Sequence, residues 1–103
     1  MLFTVLLDYR GGTYVSQVQA ETPAEAVQAW AASLDPKVVH GLGPSGKKDL
    51  VRVLAEDVEG GSGPVLLDGL TNVWCTSALM RGAGMTINIV STCTRLPPRQ
   101  KQN

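Results

Sequence analysis

The stretch Phe3-Thr4-Val5-Leu6-Leu7-Asp8-Tyr9-Arg10-Gly11-Gly12-Thr13-Tyr14-Val15-Ser16-Gln17-Val18-Gln19-Ala20 decides the fold. Apolar and polar residues alternate on both sides of Gly11-Gly12, the pattern of two half-buried strands joined by a tight turn. Two glycines can both take positive φ without a Cβ clash, which a two-residue primed turn requires. Centring the turn on them pairs Arg10 with Thr13, Tyr9 with Tyr14, Leu7 with Ser16 and Val5 with Val18. One face then carries Phe3, Val5, Leu7, Tyr9, Tyr14, Ser16, Val18 and Ala20 and is expected to be the core face. A slip of one residue would expose that whole set, so the facing is strongly specified.

A helix is expected immediately afterwards. Thr22-Pro23-Ala24-Glu25 reads as an N-cap threonine, a first-turn proline and a glutamate placed for a capping box. Val27, Trp30, Ala31 and Leu34 recur at helical spacing and form a stripe for the hairpin's core face, and Asp35-Pro36 ends the helix. From Pro36 to Lys48 the glycines and prolines predict a long loop. Asp49 to Val58 fits two templates. Leu50, Val51, Leu54 and Val58 match a helical stripe, whereas Val51, Val53 and Ala55 alternate. The β-branched content and the Gly60-Gly61-Ser62-Gly63-Pro64 turn favour a strand there. Val65 to Leu67 is a short apolar run.

A second hairpin closes the domain, Asn72–Met80 and Met85–Cys93 around Arg81-Gly82-Ala83-Gly84, with Met80 opposite Met85. Trp74, Met80, Met85, Ile87 and Ile89 share one face, and Val73, Cys75, Leu79 and Val90 sit on the other among Ser77, Thr86 and Asn88. Neither face carries a charge, the mark of a strand pair buried on both sides or meeting another subunit. Trp74, Met80, Met85, Ile87 and Ile89 are therefore the candidate association surface. In this register Cys75 and Cys93 point to opposite faces and cannot form a disulfide. The expected architecture is α+β, in the order β-β-α-β-(β)-β-β, an antiparallel sheet with one helix packed on one face. The domain is expected to span 1–94, with a disordered basic tail at 95–103.

Composition narrows function. The chain has 103 residues, 44% hydrophobic and 17% charged. One domain of that size buries roughly two-thirds of its unfolded surface, enough for a core without staples. The net charge of zero hides an asymmetry of −4 up to Asp68 and +4 after it. No apolar run approaches the roughly 18 residues of a membrane span, and no signal core precedes Asp8. A cytoplasmic protein is expected.

Gly41-Leu42-Gly43-Pro44-Ser45-Gly46-Lys47-Lys48 resembles the Walker A phosphate loop, with Lys48 where that motif has the serine or threonine that holds magnesium. Without a clear strand before it, the run reads better as a plain loop. His40, Ser45 and Lys47 remain the candidate loop site. His40 has no metal-ligating neighbours and no acid to orient it, so neither a zinc site nor a catalytic pair is expected. No cofactor is expected.

The run Asp8–Val18 followed by Thr22-Pro23-Ala24-Glu25-Ala26 resembles the opening of HicB-type antitoxins, which begin with a Gly-Gly-Tyr-like hairpin and later have a Thr-x-x-Glu-Ala helix start. The family places a further strand before its helix, which this chain lacks. The resemblance implies a similar sheet-and-helix layout, with toxin neutralisation and DNA binding as the activities that would follow. The preferred reading is a non-catalytic binding or assembly module, a homodimer joined through its C-terminal hairpin. A HicB-like regulator binding a protein or nucleic-acid partner is the alternative, with nucleic acid disfavoured. A small phosphate-ligand enzyme using Gly41–Lys48 is the third.

Overall fold

The computed structural model describes residues 1–92. The 95–103 tail, the upper end of the 1–94 domain and Cys93 lie outside the described residues. Within them the chain is α+β: β1 (Leu2–Tyr9), β2 (Gly12–Gln19), α1 (Pro23–Ser33), α2 (Gly43–Glu59), β3 (Val65–Leu66), β4 (Val73–Met80) and β5 (Ala83–Thr92). The strands form one antiparallel sheet in the order β2-β1-β5-β4-β3. Placing β5 between the two hairpin partners β1 and β4 makes the sheet continuous.

Both hairpins turn on an Arg-Gly pair. Arg10 and Gly11 have φ of 49° and 81°, and Arg81 and Gly82 have 52° and 79°. Positive φ at both central residues gives the primed turn whose twist matches that of the strands. The expected turn at Gly11-Gly12 therefore moves one residue back. Tyr9 pairs with Gly12, Leu7 with Tyr14 and Val5 with Ser16, each partner two positions from expectation. The second hairpin changes likewise: Met80 pairs with Ala83 and Cys75 with Asn88, and Gly84 joins the strand. A shift of two preserves every side chain's facing, since the pleat repeats in twos. The predicted core face holds on β1, where Phe3, Val5, Leu7 and Tyr9 are all buried, whereas on β2 Tyr14 and Val18 are half-buried and Ser16 is exposed.

Helix α1 forms as its start signals dictate. The Thr22 hydroxyl accepts the Glu25 N–H at 3.1 Å, while the Glu25 carboxylate accepts the Glu21 N–H at 3.1 Å. Ala26, Val27, Trp30 and Ala31 are buried, and α1 packs on β1, β2 and β5.

Helix α2 corrects the expected loop and strand. Residues 43–59 form 17 residues of helix, a second helix that packs beside α1 and reaches β4. Its buried side chains, Leu50 and Leu54, stand four apart on one face, with Val51 and Val58 packed beside them. Ala55, which the alternating reading pairs with Val51 and Val53, is exposed. Local β preference spans only about 1 kcal/mol, and burying one apolar stripe against α1 and β4 outweighs it. Arg52 bridges Asp49 and Glu56 along the outer side.

Candidate functional site

Two places gather the residues that the sequence singles out. The first is a corner where both Arg-Gly turns meet the start of α2. Because β1 and β5 are antiparallel neighbours, the two turns lie side by side. The Arg10 guanidinium donates to the Arg81 carbonyl at 2.5 Å and lies 5.4 Å from the Tyr9 ring centre. The Tyr9 hydroxyl donates to the Met80 carbonyl at 2.9 Å, satisfying a buried phenol. Arg81 reaches the other way, donating to the Ser45 hydroxyl and standing 3.9 Å from the Asp49 carboxylate.

This geometry accounts for two glycines of the phosphate-loop-like run. Gly41 has φ of 86°, and a Cβ there would stand 2.7 Å from Cδ of Arg10. Gly46 is buried, and its Cβ would meet Leu42 at 2.9 Å and Nε of Arg81 at 3.3 Å. The run is a turn and the first turns of α2; Val39 before it and Leu42 within it are core residues, and no strand precedes it. Ser45 is engaged by Arg81, while Lys47 and Lys48 stand in the opening turns of the helix. His40 is exposed, its backbone N–H donating to the Tyr14 hydroxyl at 3.1 Å, and no hydrogen bond joins it to Ser45. The corner braces α2 to the two hairpins. Among the described residues no group of three His, Cys, Asp or Glu side chains gathers as a metal site.

The second place is the sheet itself. The helices cover only one face, and the candidate association surface lies under them. Met80, Met85, Ile87 and Ile89 are buried in the hydrophobic core of this one chain, and Trp74 is half-buried, its ring edge-on to Phe3 at 6.1 Å. These side chains are scaffold, and the association surface read from them is corrected: α1 packs on β5 and α2 packs beside α1 on β4, so this face is already buried within one chain.

The opposite face carries no helix. One row crosses all five strands as Val15, Leu6, Asn88, Cys75 and Val65. The next runs Gln17, Thr4, Val90 and Val73, and a third runs Thr13, Asp8, Thr86 and Ser77. Leu79 and Val15 are 72% and 61% exposed, large for apolar side chains in strands. Asp8, whose carboxylate accepts from the Thr13 hydroxyl at 2.7 Å, is the one charged side chain among the described residues of this face. Cys75 is a free, half-exposed thiol on it.

The uncharged character of Val73, Cys75, Leu79 and Val90 is legible in the sequence, and the place of Leu6 and Val15 beside them is not. Their membership needed the β1–β5 pairing, which no local pattern contains. The corner was equally hidden, although the repeated Arg-Gly at both turns was its one local signal. Among the described residues no helix is long and apolar enough to cross a membrane. No family model, no curated protein and no solved structure matches the chain.

Proposed function

We propose that this protein is a non-catalytic assembly module that self-associates through the open face of its sheet, centred on the β4–β5 hairpin. The observation that carries the reading is the single charge on that five-stranded face. Open faces of antiparallel sheets in water ordinarily alternate to polar and charged residues. Here Leu6, Val73, Cys75 and Val90 lie around the central Asn88, with Thr, Ser and Gln beyond them. A second copy suits such a face, because stacking it on itself brings together only Asp8 and its twin as like charges. Sheets packed this way lie about 10 Å apart with their side chains interleaved.

No constellation for chemistry competes with this reading. Ser45 has its hydroxyl occupied by Arg81, and His40 lies apart from it. A regulatory role of the HicB kind finds support in the hairpin–helix opening and in no contact beyond it.

The test is the mass of the chain in solution by sedimentation equilibrium, set against the double variant Ser77→Lys, Leu79→Lys. Both positions are exposed, so the single chain tolerates the change. The variant is expected to stay folded and to have half the mass of the unaltered chain. A monomer at high micromolar concentration for the unaltered chain overturns the proposal.

A further inference from the structure

Strand β2 forms one edge of the sheet, and among the described residues nothing pairs with its outer side. The Ala20 N–H bonds the Met1 carbonyl at 3.0 Å, so even-numbered residues of this strand face β1. Thr13, Val15, Gln17 and Gln19 therefore turn their N–H and C=O groups outward, because alternate residues of an antiparallel strand bond to opposite sides. No backbone hydrogen bond from the remaining described chain reaches them.

Monomeric sheet proteins protect such edges by shortness, charge, proline or a bulge. The opposite edge follows that rule: β3 is two residues long, with Pro64 before it and Asp68 just after. β2 breaks it on every count. It is eight residues long, pairs with β1 without a bulge, and reads Gly-Thr-Tyr-Val-Ser-Gln-Val-Gln, with no charge and no proline. One edge is closed and the other is left open.

We propose that β2 pairs antiparallel with β2 of a second copy, about a twofold axis through Ser16. This register sets Thr13 opposite Gln19 and Val15 opposite Gln17 as hydrogen-bonded pairs, which engages all four outward residues of each copy. Ser16 then faces its twin across a non-hydrogen-bonded pair, where Cα atoms come within about 4.5 Å. Tyr14 meets Val18, an aromatic–β-branched pair of the kind that stabilises sheets. A hollow of about 200 Å³ opens at this edge, bordered by Tyr14, Ser16, Leu34 and Val38, the last 62% exposed. Val18 of the second copy enters beside Tyr14 on that side. A second copy fits because one register engages the four outward residues of both strands at once, and the double sheet then ends at two short β3 edges. The edge lies in the plane of the sheet, so this contact does not depend on the open face.

Amide hydrogen exchange followed by NMR on the unaltered chain tests the pairing directly. The Thr13, Val15, Gln17 and Gln19 amides are expected to exchange at least about tenfold more slowly in concentrated than in dilute solution, since protection then follows association. Gln17→Pro removes one outward N–H at a position where an edge strand accepts proline. It is expected to abolish this protection and lower the mass by half at that contact. Unprotected outward amides at a concentration where the chain is dimeric overturn the proposal. So does a Gln17→Pro mass that matches the unaltered chain. If Ser77→Lys, Leu79→Lys dissociates the dimer and Gln17→Pro does not, the edge contact fails and the face contact stands; the reverse result rejects the face and keeps the edge. Should Gln17→Pro not fold, amide exchange in the unaltered chain alone decides.

Discussion

Ile87→Ala should destabilise the folded single chain severely, while Leu79→Ala on the same hairpin should leave it nearly unchanged. Ile87 is fully buried, paired with Leu7 on one side and Thr76 on the other, beneath the helical layer. Leu79 is 72% exposed on the uncovered face, opposite Gly84. Removing three carbons from a closed core site costs about 2–5 kcal/mol, from lost transfer energy and the cavity left behind. Truncating an exposed side chain stays within about 0.5 kcal/mol. At roughly 4–8 °C per kcal/mol for a domain of this size, Ile87→Ala should lower Tm by about 10 °C or more. Urea unfolding followed by circular dichroism, at two protein concentrations a decade apart, separates the two origins of such a loss. A core defect persists at both concentrations, whereas a lost subunit contact fades on dilution. Equal losses for the two variants, or an Ile87→Ala loss that disappears on dilution, would refute the assignment of this face to the core.

Two further outcomes follow from local geometry. Thr22→Ala removes the hydroxyl that accepts the Glu25 N–H and should cost about 1 kcal/mol; Thr22→Asp, which can accept the same bond, should restore most of it, as read by urea midpoints. Gly41→Ala forces an L side chain to φ of 86° with its Cβ 2.7 Å from the Arg10 side chain. The left-handed conformation alone costs about 1–2 kcal/mol, so the urea midpoint should fall by at least that, and an unchanged midpoint would mean that the corner yields freely.

The sequence on its own settled what depends on neighbouring residues. The alternation around Gly11-Gly12 named the core face of the first hairpin, and Thr22 to Glu25 named the start of α1. Turn position was less secure. Glycine at 11 and 12 offers two placements of a primed turn, and only the pairing of all eight residues in each strand shows Arg10 taking positive φ. The same ambiguity recurs at Arg81-Gly82. Both errors were even-numbered, so the facing survived them.

What only the tertiary structure decided is whatever joins distant residues. Residues 49–58 carry a helical and an alternating pattern together, and the choice falls to the helix because α1 and β4 offer Leu50 and Leu54 a surface to bury against. That helix packs on β4 beside α1, which lies on β5, and the two bury Met80, Met85, Ile87 and Ile89 in the core of the single chain. The uncharged character of the second hairpin was legible in the sequence. Which of its two faces is left open was not, because facing is a local property and covering depends on the rest of the chain.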